Sequence, residues 1–119
     1  LGALRSIPHG VVCSTLLGVT TELIIDKLKV GDSGSAQYLM KFAEAGSALT
    51  GNNFNTPEAN RKNLISTLNT WVEDFSISRL SDYGFTEKEL IAAAEITGLK
   101  NTPCRLESQD VRNIFLSRL

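Results

Sequence analysis

The stretch GVVCSTLLGVTTELIIDKL, residues 10–28, predicts the helix around which the rest of the fold is organised. Its apolar side chains cover nearly the whole circumference of a helix, which is typical of a helix with neighbours on several sides. These side chains are Val11, Val12, Leu16, Leu17, Val19, Leu23, Ile24 and Leu28. We therefore expect a central, buried helix over these residues.

Two further helices are predicted downstream. The second follows a turn over residues 31–35, with Ser33 or Ser35 as its cap, and ends at the run Gly51, Asn52 and Asn53. The third has the clearest start, because Thr56 is a good N-cap and Pro57 loses no hydrogen bond at the first helical position. The expected buried edges are Ala36, Leu39, Met40, Ala43 and Gly46 on the second helix, and Leu64, Leu68, Trp71, Val72 and Phe75 on the third. In this interpretation Trp71 is a core residue.

The last third of the chain predicts a short helical turn over 79–82, a left-handed Gly84 and a helix that runs to about Ile96. A capping box of Thr86 and Glu89 begins that helix. A loop over 97–105 leads to a final helix, capped by Ser108 or Glu107, which buries Val111, Ile114, Phe115 and Leu119. No segment alternates as a strand does. The expected fold class is all-α, an antiparallel bundle of about five to six helices forming one domain over 1–119.

Composition limits the partners. The 12 Lys and Arg and 13 Asp and Glu residues are interspersed and give a net charge of −1, so neither nucleic acid nor an anionic membrane is an expected partner. No apolar run reaches the roughly 18–20 residues of a membrane span, and no signal peptide is evident, so we expect a cytoplasmic protein. The apolar start at Leu1, without Met, predicts a cut through a larger protein.

The two cysteines, Cys13 and Cys104, are far apart and form no CxxC motif. Neither a disulfide framework nor a zinc site is therefore predicted. We expect Cys13 to be a small buried hydrophobe and Cys104 to be exposed in its loop after Pro103. Neither is expected to be a catalytic nucleophile.

The single histidine, His9, lies between Pro8 and Gly10 at the entrance of the first helix. A neutral imidazole is a good ligand for Fe(II) or Zn(II), and a helix entrance holds the ring on rigid backbone. One ligand does not make a metal site, and a pairing of His9 with Cys13 or Ser14 would lack an oxyanion hole and an orienting acid. Composition alone therefore favours a structural or surface role for His9.

Residues 1–17, LGALRSIPHGVVCSTLL, change this interpretation because they resemble the second half of the metal-binding signature of iron-containing (group III) alcohol dehydrogenases. The matching positions are Leu1, Gly2, Ala3, Pro8, His9 and Gly10. Residues 84–119 are similar to the C-terminal end of that family, with its KNNP-like loop at Lys100, Asn101, Thr102 and Pro103. For residues 29–55, only the general helical character can be compared with this family.

The resemblance implies that the chain is the helical C-terminal domain of a dehydroquinate synthase-like fold. Members of the family also have an N-terminal Rossmann-like domain that binds NAD or NADP. They coordinate Fe²⁺, sometimes Zn²⁺, through one aspartate and three histidines, and His9 corresponds to the last of these histidines. The remaining ligands and the nucleotide-binding loop would then lie upstream of Leu1.

The activity implied by the resemblance is oxidation of an alcohol, or reduction of an aldehyde, with NAD(P). The isolated chain would be inactive, and the parent enzyme could form a homo-oligomer. The loop over 97–104 is a weaker candidate for the wall of the cleft. Two alternatives stay open: a maleylacetate reductase-like enzyme, and a stand-alone helical module whose exposed apolar groove binds a partner.

Overall fold

The computed structural model describes residues 1–31 and 34–119, and within these ranges it contains helices and no strands. The elements are α1 (His9–Lys29), α2 (Ser35–Thr50), α3 (Pro57–Asp74), a 3₁₀ turn (Ser81–Tyr83), α4 (Glu87–Ile96) and α5 (Ser108–Leu116). The predicted all-α class is therefore confirmed. None of the helices in the described ranges is both long enough and apolar enough to cross a bilayer.

Helix α1 lies at the centre, as predicted, and packs against α2, α3 and α5. Its half-buried side chains Val12, Leu16, Val19 and Leu23 cover one side of a core cluster. The buried members of that cluster are Ile7, Leu80, Phe85, Leu90, Ala93, Ala94, Val111, Ile114 and Phe115. With the α2–α3 pair added, the molecule is a slab of 43 × 33 × 18 Å.

The most buried positions of α1 include small and polar residues as well as large apolar ones. Thr15, Gly18, Thr21, Ile25 and Leu28 are buried, whereas Leu17 is 51% exposed. The reason is the close approach of α3, because a Cβ on Gly18 would clash with the side chain of Asn69. The expectation that the whole apolar circumference is buried is therefore wrong at Leu17.

Helices α2 and α3 also cross at a glycine. A Cβ on Gly46 would meet the backbone carbonyl of Asn60 and would lie 3.2 Å from Cβ of Leu64. The buried side chain of Asn60 accepts a hydrogen bond from the Phe54 N–H (2.8 Å) and donates one to Oδ1 of Asn53 (3.0 Å). Both ends of the amide are satisfied, so this polar group stabilises the loop before α3 at little desolvation cost.

Most of the predicted helix ends are confirmed. Thr56 Oγ1 accepts the Ala59 N–H, Thr86 and Glu89 form the capping box, and Gly51 and Gly84 both adopt positive φ. At α5 the N-cap is Glu107, and Ser108 is the first helical residue. Ser35 is likewise the first residue of α2 rather than its cap, and Ser33 lies outside the described residues.

Several predicted core positions are exposed or only half-buried. On α2, Ala43 and Gly46 are buried, but Ala36 and Met40 are exposed and Leu39 is half-buried. On α3, Leu64 and Leu68 are buried, whereas Trp71 is 38% and Phe75 69% exposed, so the prediction of Trp71 as a core residue is wrong. The spacing identified the correct face of α3, but full burial on this face ends at Leu68, and the predicted core residues from Trp71 onward are half-buried or exposed. At the end of the chain Leu119 is half-buried and lies beyond α5.

An ion pair ties α1 to α5. Oδ2 of Asp110 lies 2.7 Å from Nζ of Lys27 and accepts the Glu107 N–H at 2.7 Å. Burial raises the pKa of Asp110, but the Glu107 N–H and the Lys27 ammonium outweigh it, so the pKa is held below its ordinary value. A lowered pKa means that this carboxylate stabilises the fold above its unfolded-state pKa and loses that effect as the pH falls through the folded-state value.

Replacement of Asp110 by Asn is expected to lower the free energy of unfolding by about 1–2 kcal/mol at neutral pH, because a partly buried charged hydrogen bond is lost. The difference from the wild type should shrink as the pH falls from about 7 to 3. Urea unfolding across that range measures it. Glu95→Gln, at an exposed carboxylate of α4, is the control. If the difference in unfolding free energy between the wild type and Asp110→Asn is constant with pH, the stabilising role assigned to the Asp110 carboxylate is wrong.

Replacement of Gly46 by Ala is expected to destabilise the fold by about 1–3 kcal/mol, because the new methyl group must push α2 away from the Asn60 backbone. Gly10→Ala is the matched control, since Gly10 is also helical and has no heavy atom within 4 Å of its added Cβ. Urea unfolding of both variants provides the test. Equal stability of the two would show that the α2–α3 crossing does not need a glycine.

Candidate functional site

His9 is the first residue of α1 and its side chain is exposed. Pro8 occupies the N-cap position in an extended conformation, and its carbonyl accepts the N–H groups of Val11 (3.0 Å) and Val12 (3.2 Å). The ring is therefore presented to solvent from the rigid first turn of a 21-residue helix. This is the location that the sequence predicted for it.

The segment before His9 is held against α4. Ile7 is buried in the core cluster, and Arg5 forms an ion pair with Glu89. The Arg5 guanidinium also lies 5.9 Å from the centroid of the Phe85 ring, within the range of a cation–π interaction. Hydrogen bonds from Thr86 and Arg5 lower the pKa of the Glu89 carboxyl, so the ion pair stays charged at neutral pH. These contacts fix the position of the Pro8–His9 entrance relative to the core.

Cys13 lies one turn along α1 on the same face as His9. Its Sγ is 3.3 Å from Nε2 of His9, and both side chains are exposed. The expectation of a buried Cys13 is therefore wrong. The physical reason is that α3 approaches α1 at Gly18, on a different side of the helix, so the His9–Cys13 face points to solvent.

An apolar groove of about 180 Å³ begins at Ser14, the residue after Cys13. Leu17, Trp71 and Phe75 are its exposed large apolar members. The full lining is Ser14, Leu17, Leu68, Trp71, Val72, Phe75 and Ile77, which includes no charged side chain. His9 and Cys13 do not line this groove, and Ser14 is the point in the chain where the groove and the His9–Cys13 pair are adjacent.

His9 and Cys13 are the potential metal donors at this surface. Over 1–31 and 34–119, no three His, Cys, Asp or Glu side chains converge as a metal site would require. The chain therefore offers one imidazole and one thiol, and a complete coordination shell needs donors from elsewhere. No side-chain arrangement here provides a nucleophile with an orienting acid.

Part of the 97–104 loop, which was predicted to form a wall of the cleft, lies far from His9. Pro103 and Cys104 share a hollow with Lys27 and Val30, at the C-terminal end of α1. With a rise of about 1.5 Å per residue, that end of α1 is roughly 30 Å from His9. Cys104 is half-buried rather than exposed, and burial raises the pKa of its thiol. This part of the loop therefore does not share a wall with His9.

No protein-family model, curated protein or solved structure matches the chain. The geometry brings His9 and Cys13 together and places an apolar groove beside them. The i, i+4 spacing already indicated the first contact, whereas the groove depends on how α1 and α3 cross.

Thiol reagents are expected to modify Cys13 before Cys104, because Cys13 is exposed while Cys104 is half-buried with a raised pKa. Alkylation of the folded chain at neutral pH, followed by peptide mass spectrometry, measures the two rates. Cys13→Ser and Cys104→Ser each isolate one thiol as controls. Faster modification of Cys104 would contradict the described exposure of the two residues.

Proposed function

We propose that this chain is the helical C-terminal domain of a cytoplasmic iron-containing alcohol dehydrogenase with a dehydroquinate synthase-like fold. His9 would be the last of its metal ligands, and the aspartate, the other histidines and the NAD(P)-binding domain would precede Leu1 in the parent protein. The observation that carries the proposal is the exposed imidazole of His9 on an anchored helix entrance. A ring packed inside the core would be unable to reach donors on another segment.

The residues present fit one arm of such a site. A neutral imidazole suits Fe²⁺ or Zn²⁺, and the ring of His9 is fixed by the first turn of α1 and the buried Ile7. When bound, the metal would act as a Lewis acid on the alcohol oxygen and favour hydride release to the nicotinamide. The role of this chain is to hold His9 in position and to border the pocket with α1 and α3.

The apolar groove at Ser14 favours a substrate with a hydrocarbon portion. Leu17, Trp71 and Phe75 offer an apolar wall, and its lining lacks the cations that a dicarboxylate would require. An alcohol or aldehyde is therefore preferred over maleylacetate as the substrate class. Rates of the parent enzyme with primary alcohols, aldehydes and maleylacetate compare the two possibilities directly.

The same groove supports a second candidate function, a helical module that binds a protein partner. Leu17, Trp71 and Phe75 expose apolar surface together, as a partner-binding site does. In that alternative the contacts of Ile7 and Arg5 only stabilise the fold. An upstream reading frame encoding a Rossmann-like segment with an HxxxH pattern would favour the enzyme, and its absence would favour the module.

In the longer parent protein that contains this chain, His9→Ala is expected to abolish turnover because the metal is lost. The loss should exceed about 100-fold, since even an outer-shell partner of a metal ligand contributes about 10–100-fold. Metal content and rate are measured together. Lys62→Ala, at an exposed position in the second turn of α3, is the control. Normal metal content and rate in His9→Ala would show that the ligand assignment is wrong.

A further inference from the structure

The His9–Cys13 pair has the separation of two ligands of one metal ion. Tetrahedral Zn²⁺ binds sulfur at about 2.3 Å and imidazole nitrogen at about 2.0–2.1 Å, which places the two donor atoms about 3.5 Å apart. Sγ of Cys13 and Nε2 of His9 are 3.3 Å apart before any ion is considered. A cation can therefore join both atoms with little rearrangement of either side chain.

Both donors are also accessible and preorganised. Each side chain is exposed, and neither has another hydrogen-bond partner in the described part of the chain. They are separated by one turn of α1, whose first turn is fixed by the hydrogen bonds to the Pro8 carbonyl. The backbone between them does not need to be ordered on binding, which removes the main entropic cost of bringing two ligands together.

We propose that Cys13 is a second metal donor beside His9, so that the two side chains bind a thiophilic divalent cation such as Zn²⁺ or Co²⁺. The thiol releases its proton to solvent, and the thiolate sulfur and the Nε2 lone pair occupy two coordination positions. In the isolated chain, water would occupy the remaining coordination positions. This inference goes beyond the proposed function because it needs no residue outside the chain and no reaction.

Within the parent protein, a thiolate next to His9 would shift the choice of metal. Thiolate ligands select zinc over harder ions, and a mixed nitrogen and sulfur site binds Zn²⁺ more tightly than Fe²⁺. The resemblance at residues 1–17 leaves iron and zinc both open. Cys13 is the residue of this chain that favours zinc.

The test is a Co²⁺ titration of the chain in a Cys104→Ser background, which leaves Cys13 as the single thiol. We expect a sulfur-to-cobalt charge-transfer band in the near ultraviolet that Zn²⁺ displaces. The band should disappear when Cys13→Ser is added, and binding should weaken at least tenfold when His9→Ala is added. Both substitutions are at exposed positions, and circular dichroism checks that each variant is helical.

Three results would overturn the proposal. The first is the absence of a thiolate band in the Cys104→Ser chain, and the second is a band of unchanged affinity in the His9→Ala variant. The third is calorimetric Zn²⁺ binding that is equal with and without Cys13. If Cys104→Ser fails to fold, comparison of the wild type with Cys13→Ser gives the same decision. None of these results bears on His9 as a ligand in the parent enzyme, which His9→Ala tests there through turnover and metal content.

Discussion

The structure depends on α1 being shared between two separate packing surfaces. On one side Val12, Leu16, Val19 and Leu23 pack against the cluster that includes α4 and α5, and on another side Gly18 admits α3 at close range. In the first half of α1 these contacts leave one strip exposed to solvent. His9, Cys13 and Leu17 lie along that strip, so the candidate site follows from the packing of the helix that carries it.

Specific polar contacts hold these surfaces together. Asn60 closes the loop before α3, and the Lys27–Asp110 ion pair joins α1 to α5. Arg118 donates from Nε to Oγ1 of Thr15 (2.9 Å) and from Nη2 to the carbonyl of Ile77 (3.3 Å), which links the end of the chain to the middle of α1. Burial lowers the pKa of Arg118, so this contact is made at some desolvation cost. The junctions of α1 with α5 and with the C-terminal residues therefore have directional contacts beside their apolar ones.

Local features could be predicted from the sequence because their chemistry is local. Thr56 and the Thr86–Glu89 box cap helices through hydrogen bonds within three residues, and the His9 entrance is set by Pro8. Exposure of Trp71 and Cys13 could not be predicted, since spacing identifies a face but not the element that covers it. Burial of Thr15 and Gly18 was missed for the same reason: the crossing of α1 with α3 is a tertiary feature. The His9–Cys13 contact lies between these cases, because the i, i+4 spacing indicates it and the packing decides that it faces solvent.

The sharing of α1 also has a consequence for how the chain folds. Helix α1 contributes to the core on both sides. Its Ile25 and Leu28 are buried outside the cluster formed with α4 and α5, whereas Leu16 and Leu23 pack against that cluster. Without α1, neither the α2–α3 pair nor the α4–α5 pair has a complete hydrophobic core. Each half therefore depends on α1 for part of its core. Unfolding of either half removes one wall of the other, and this coupling makes the transition cooperative across the whole chain.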